Sequence, residues 1–337
     1  MKTLLIARTI KSYWATDFAQ KRITKVFAPF SGSRLWRIYG CIFAPYLYLL
    51  ITFIGFIKSF NYDFVIVADP RIGIIFAILK KIFYYQKPLL VHQLILPERN
   101  NCLKQVVLKL AFQEIDAAIV NSSFEKENFK KKFSKTRFFF IPLHSDPRCF
   151  SLSKKTELGS YIFSGGGAER DFDILISAAK KIDFRFLIVT FSKNNLAKIK
   201  IPKNVEVRFN LPEIEYFELI ANSRFVVVPL KMVGRSAGQT TVVQAMSIGK
   251  AVVATNVSGL TDYIEDGKTG SLVEAGNVQD LIKTIDKLLK NTAELKKISE
   301  ASLEFAQKNF TYEIYDQRMT KVFAELELSL KKRSNSA

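Results

Sequence analysis

The sequence predicts an α/β chain of two doubly wound domains that face each other across a cleft. Three observations carry that reading. Short continuous apolar runs, the mark of strands buried on both faces, alternate with longer helical patterns. The alternation breaks at Pro142 and at a polar stretch, Ser145–Ser160, and then restarts. The 337 residues leave room for two domains of about 100–200 residues each.

In the first half, strands are expected at Thr3–Ala7, Phe64–Ala68, Leu89–His92, Ala117–Val120 and Phe138–Ile141. Helical patterns fill Gly73–Phe83, Cys102–Phe112 and Ser123–Phe133 between them. After the linker, strands are expected at Tyr161–Phe163, Phe186–Thr190, Val205–Phe209, Phe225–Pro229 and Ala251–Ala254. Gly267–Val273 reads as a turn and a short strand. Helices are expected at Asp171–Lys181, Thr240–Ile248, Val278–Leu289 and beyond Thr292. The domains are then 1–150 and 151–310. Residues 311–337 form a helix packing back on the first domain, followed by a tail. In such sheets ligands bind beyond the carboxyl ends of the strands.

Fifty Lys and Arg stand against 31 Asp and Glu, giving a formal charge of +19. That excess favours an anionic partner: nucleic acid, an anionic lipid surface or a phosphorylated substrate. Lysines cluster at Lys126, Lys130, Lys131, Lys132 and Lys135, and again at Lys331 and Lys332, which solvated helix faces would also explain. No RNA-binding signature or zinc finger accompanies them, so nucleic acid is not an expected partner. Cys41, Cys102 and Cys149 form no CxxC pair and read as idle thiols in a reducing cytoplasm. With only His92 and His144 as histidines, zinc chemistry is not expected.

Met1–Ile6 reads as a first strand rather than a signal peptide. The run Ile38–Ile57 carries no formal charge and is flanked by Arg34, Arg37 and Lys58. As a helix it would be about 30 Å long, the thickness of a bilayer core. It contains Gly40, Pro45, Gly55 and three tyrosines. The expectation is a helix with one face on a sheet and an apolar, Tyr-rich face at a lipid interface, held by its basic flanks to anionic headgroups. A core helix and a true span are the alternatives.

Two segments carry chemistry. In the first, Tyr161–Asp173, a strand runs into Ser164, Gly165, Gly166 and Gly167, and a helix begins near Asp171. Glycines let backbone amides approach a ligand, and a helix N-terminus favours phosphate. Arg170 stands at that entrance with a fixed charge and a bidentate fork suited to diphosphate oxygens. Asp171 and Asp173 spell a DxD, but an N-cap and a first-turn acid explain them better than a metal. In the second segment, Val226–Ala254, a strand, a polar loop, a helix, a glycine stop and a strand follow one another. Gly234, Gly238, Thr240 and Thr241 offer amides and hydroxyls to phosphate or sugar oxygens. Gln244 lies one turn beyond Thr240 and faces the cleft if Val243 and Met246 face the core.

The stretch from Tyr161 to about Leu289 resembles retaining glycosyltransferases of family 4, the glycosyl transferases group 1. The resemblance is carried by Ser223–Pro229, Gly238–Met246, Gly249–Thr255, Ser258–Ile264 and Asp266–Val273, in that order. It implies the GT-B fold, two Rossmann-like domains facing across a cleft. It also implies a nucleotide-diphosphate sugar as co-substrate and transfer with retention, without a cofactor or a required metal. Arg170 matches the basic residue that family members place on the donor diphosphate. A second basic residue is replaced here by Gly166 or Gly167. Two glutamates eight positions apart are replaced by Ser236 and Gln244. Gln244 can still hydrogen-bond ribose hydroxyls, whereas Ser236 is a weak substitute for a sugar contact. Amides around Gly238, Gln239 and Thr240 remain available.

The family's glycine-rich loop after the first strand is absent. Ala7–Ser12 stands there, where Arg8 could contribute charge. His92, ending a strand, looks like the histidine such enzymes place near the transferred sugar. Arg170 and His92 are the expected catalytic residues, and basicity with the Ile38–Ile57 face points to a glycan or lipid-linked acceptor of the cell envelope. The expected location is cytoplasmic, peripheral on the inner face of the cell membrane. A catalytically degenerate binder and a basic nucleic-acid binder are the rival readings.

Overall fold

The structure is a computed structural model that describes residues 2–7, 23–28, 34–96, 101–153, 158–191, 196, 199–232 and 234–335. The chain forms two compact units, Met1–Ile141 with Asp316–Ala337, and Pro142–Tyr315.

The first unit holds a six-stranded parallel sheet in the order β2-β1-β3-β4-β5-β6. Its strands are β1 (Thr3–Ile6), β2 (Lys25–Phe27), β3 (Phe64–Val67), β4 (Leu89–Val91), β5 (Ala117–Val120) and β6 (Arg137–Phe140). Strands β1, β3, β4 and β5 are buried throughout, which their unbroken apolar runs require. Strand β2 was not foreseen. It is a three-residue edge strand, exposed at Lys25 and half-buried beyond.

Four helices connect these strands: α1 (Arg34–Ser59), α2 (Pro70–Ile82), α3 (Cys102–Ala111) and α4 (Ser123–Lys132). From β2 to β6 every crossover runs in the same direction along the sheet, the first passing over β1, so right-handed connections stack all four helices on one face. There Leu4, Ile6, Val65 and Val67 meet Ile51, Phe56, Ile72 and Phe76 in one core. Helix α1 lies close on β1: a Cβ on Gly55 would sit 2.8 Å from Ile6 Cδ1. Side chains of Asp69, Asn101 and Ser122 cap α2, α3 and α4 in turn. Phe64 points to the other face, where its ring meets Phe323 of the C-terminal segment at 5.3 Å. The sheet is thus covered on both sides. No helix among the described residues is long and apolar enough to cross a membrane.

The second unit holds β7 (Tyr161–Gly165), β8 (Arg185–Thr190), β9 (Val205–Phe209), β10 (Val226–Val228), β11 (Val252–Thr255) and β12 (Ser271–Val273). They form a parallel sheet in the order β12-β11-β10-β7-β8-β9. The strand order reverses between β7 and β10, the position where doubly wound sheets open a ligand crevice. Its helices are α5 (Pro147–Ser153), α6 (Phe172–Ala179), α7 (Glu213–Ala221), α8 (Gln239–Ser247), α9 (Val278–Lys290) and α10 (Thr292–Asn309), and the last helix, α11 (Tyr312–Asn335), belongs from Asp316 onward to the first unit.

Alternate residues of these strands feed two cores. Phe163, Val226, Val228 and Val252 pack with Phe217 of α7 and Val243 of α8. Ile162, Ile188, Val227 and Val253 pack with Leu175 of α6 and Ile285 of α9. The polar stretch read as a linker contains α5, whose Cys149 is wholly buried in the first of these cores. That burial ties residues from Pro142 onward to the second unit. Helix α7 was also not foreseen.

Candidate functional site

The site grows from the carboxyl end of β7. Gly166 follows the strand with φ of +106°, a conformation that L side chains rarely adopt. A Cβ there would lie 2.6 Å from Nη2 of Arg170. Glu169, at φ of 56°, turns the chain back, and Arg170 forms an antiparallel bridge with Leu230 just beyond β10. This brings the Arg170 side chain back beneath its own glycine loop.

Arg170 is only 8% exposed. Its Nε donates to the Gly165 carbonyl at 2.8 Å, its Nη1 to the Ala168 carbonyl at 3.3 Å and its Nη2 to Thr241 Oγ1 at 3.0 Å. None of these acceptors carries a charge. Burial pushes the guanidinium pKa down to about 10, so it is still a cation at neutral pH. A buried cation held only by neutral dipoles is incompletely compensated, and a nearby anion would stabilise it.

The opposite wall comes from α8. Gly238 is its N-cap, in the left-handed region at φ of 83°, and no side chain caps this end. Amides of the first helical turn are thus left to bind something else. Thr241 Oγ1, besides accepting from Arg170, stands 3.4 Å from the Tyr216 hydroxyl. Tyr216 is packed closely enough that a Cβ on Gly165 would fall 2.0 Å from its Oη. Burial pushes its phenol pKa up.

These walls enclose a pocket of about 460 Å³. It brings together Gly166, Gly167, Arg170, Gly238, Thr240, Thr241 and Gln244 of the sequence-derived set. Gly165 contributes through its carbonyl, on which Arg170 rests. Gln239 sends its amide to the Gly259 carbonyl at 2.8 Å, and Ser236 is buried beside Gly259; neither lines the pocket. His92 belongs to the first unit, where it follows β4, is wholly buried and donates its backbone N–H to Val67. Arg8 and the loop after Ala7 lie outside the described residues.

Phe191, Leu211, Glu213 and Tyr216 also line the pocket and were missed in the sequence. Phe191 directly follows β8, and Leu211 lies just beyond β9, so strand-end position could have found them. Glu213 is engaged by Arg148, which Asp146 also holds at 2.7 Å. The DxD resolves as a cap: Asp171 accepts from the Ile174 amide at 3.2 Å, while Asp173 is exposed. Among the described residues no group of three His, Cys, Asp or Glu is placed to hold a metal. Of the thiols, Cys149 is buried and its pKa is pushed up to about 12 by that burial.

Residues 164–305 match the model of the family described as Glycosyl transferases group 1. A Methanocaldococcus jannaschii protein, the uncharacterized glycosyltransferase MJ1178, is 35% identical over 168 residues, 47% of this chain and 45% of that protein. Trehalose synthase of Pyrococcus horikoshii is 32% identical over 120 residues, 36% of this chain and 28% of that enzyme. The matches thus span less than half the length of these relatives. Among solved structures, Anabaena Alr3699/HepE in complex with UDP superposes with a TM-score of 0.73 at 17% identity, covering 96% of this chain and all of that one. Sucrose-phosphate synthase of Thermosynechococcus elongatus gives 0.70 at 16% identity, covering 90% and 84%. The chain has the GT-B fold, and its second unit carries the group 1 sequence pattern.

Proposed function

We propose that this chain is a retaining family 4 glycosyltransferase that moves a sugar from a nucleoside-diphosphate donor to a glycan or lipid-linked acceptor in cell-envelope polysaccharide synthesis. One observation carries the reading: the buried guanidinium of Arg170, resting on uncharged acceptors, lines a pocket at the point where the strand order of the second sheet reverses. A diphosphate is the anion that such a pocket fits. The Anabaena protein of the same fold holds UDP, which supports the same ligand class here.

The chemistry follows from charge. Breaking the sugar–oxygen bond develops negative charge on the departing diphosphate and an oxocarbenium-like sugar. Arg170 and the first-turn amides of α8 would stabilise that charge in a site partly closed to water. Gln244, one turn along α8, would hydrogen-bond ribose hydroxyls. Phe191 and Leu211 offer an apolar wall for the base. Among the described residues the one carboxylate lining the pocket, Glu213, is engaged by Arg148 and is a poor nucleophile. Retention without a protein-bound sugar is consistent with that, the departing phosphate taking the acceptor proton. On this reading the enzyme works as a peripheral protein on the inner face of the cell membrane.

A second reading, a binder without catalysis, is favoured by Gln244 and Ser236 standing where glutamates are usual. A panel of nucleotide sugars screened by thermal shift, followed by donor hydrolysis, separates the two. The proposal expects one donor to raise the melting temperature and to be hydrolysed slowly. Stabilisation by a donor that is never turned over, with any acceptor, would favour the binder.

A further inference from the structure

Helix α1 carries two apolar stripes. The inner one, Tyr48, Ile51, Gly55 and Phe56, is buried on the sheet. The outer one, Tyr46, Leu49, Leu50, Phe53 and Ile57, repeats at helical spacing and is 48–71% exposed. Helix α3 repeats the pattern: Leu108 and Ala111 are buried, while Leu103, Val106, Val107 and Leu110 form an exposed stripe. Helix α2 packs against both helices and ends in Ile82, Phe83 and Tyr84, all exposed. Tyr84, 84% exposed, is held at φ of 52°, a conformation unusual for a bulky residue. Because α1, α2 and α3 share one face of the sheet, their outward stripes form a single apolar layer. Scattered exposed apolar residues need no explanation, but a contiguous layer of this extent does.

Charge decides what covers it. None of these three helices contains an aspartate or a glutamate. Lys58, Lys81, Lys104 and Lys109 are exposed on them, and the exposed lysines of α4, Lys130, Lys131 and Lys132, stand on the same face of the sheet. Lys80 is excluded, since it is buried on Asp116 at 2.7 Å, and Lys81 is partly offset by Glu114 at 3.3 Å. Apolar stripes bordered by uncompensated lysines, in a chain of net charge +19, match an anionic bilayer. A second copy would set lysines against lysines.

We propose that the outer surface of α1, the end of α2, and α3 together dock the first unit on an anionic lipid surface. Their apolar side chains enter the headgroup–acyl boundary, and the lysines face lipid phosphates. This deepens the peripheral-membrane reading by naming the surface, and it does not depend on the donor site being catalytic.

The test is co-sedimentation of the full chain with phosphatidylcholine vesicles, alone or mixed with phosphatidylglycerol. The expected result is binding to the mixed vesicles only, weakened in high salt, since screening shortens to about 3 Å at 1 M. Leu49→Ser with Phe53→Ser, and separately Val106→Ser with Leu110→Ser, should each weaken binding by about tenfold or more. Lys104→Glu with Lys109→Glu should weaken it and flatten the salt dependence. Each variant should keep the parent's circular dichroism and its nucleotide binding, because these side chains are exposed. Failure of the parent chain to bind mixed vesicles overturns the proposal. So does equal binding by folded variants, or a dimer dissolved by Phe53→Ser in a chain that ignores vesicles.

Discussion

The guanidinium of Arg170 meets the hydroxyl of Thr241 at 3.0 Å, joining the glycine loop after β7 to the first turn of α8. This contact links the two strand ends at which the sheet order reverses. Thr241→Val keeps the shape and removes the acceptor. An unsatisfied buried donor costs about 1–3 kcal/mol. The variant should therefore lose about that much stability in urea unfolding and bind a nucleoside diphosphate more weakly. Unchanged stability would mean that the contact holds nothing in place.

Gly166→Ala should disturb Arg170 without touching the ligand directly. The new Cβ would fall 2.6 Å from Nη2 at a residue whose φ is +106°. Strain at such a position is of order 1–3 kcal/mol. A lower melting temperature together with a fall in donor kcat/KM of about tenfold or more is expected. Normal kinetics in a folded variant would separate the loop from Arg170.

Gln244 lines the pocket as a neutral amide. Gln244→Ala should weaken nucleoside diphosphate binding by about 1 kcal/mol, one neutral hydrogen bond. Gln244→Glu should strengthen it, because a hydrogen bond to a carboxylate is worth about 1.5–3 kcal/mol. Isothermal calorimetry with the nucleotide and with its 2′-deoxy form checks both. The deoxy form should erase the difference between the variants.

Lys250 predicts a pH dependence of stability. Burial, and then the neighbouring Arg224 charge, lower its pKa from 10.5 to about 8, while its Nζ donates to the Ser223 carbonyl at 2.7 Å. Below about pH 8 both folded and unfolded chains carry the proton, so the folded state bears the whole penalty. Between about 8 and 10.5 the unfolded chain holds more protons, so stability rises with pH. At about 1.4 kcal/mol per unit the penalty reaches about 3 kcal/mol, less the hydrogen bond. Lys250→Met should thus differ from the parent most at pH 7, and the gap should close by about pH 10. A gap that stays constant across this range would contradict the assignment.

Much of the fold is legible in single runs of sequence. Ala117–Val120 is a continuous apolar run and forms β5 with those limits. Strand β2 could not be read the same way, because one exposed and two half-buried residues at an edge leave no pattern. Helix α7 was missed although Glu213 and Glu215 occupy its first turn and Phe217 and Ile220 its buried side. Nine residues hold too few turns for a period to stand out. The glycine loop, Arg170 and the start of α8 were readable because backbone geometry and charge demand those residue types. Tyr216 was not, since only packing across the sheet brings it beneath Gly165. Gln239 shows the same limit. Its position at the helix start was clear, but its turn toward Gly259 depends on a distant loop.

The most direct measurement is calorimetric binding of the nucleoside diphosphate of the accepted donor to the parent chain and to Arg170→Ala and Arg170→Lys. Alanine should lose about 2–4 kcal/mol in donor kcat/KM with a parallel loss of diphosphate affinity, and lysine, lacking the planar fork, should recover only part of either. A folded Arg170→Ala protein that binds the diphosphate and turns over donor like the parent would contradict that expectation.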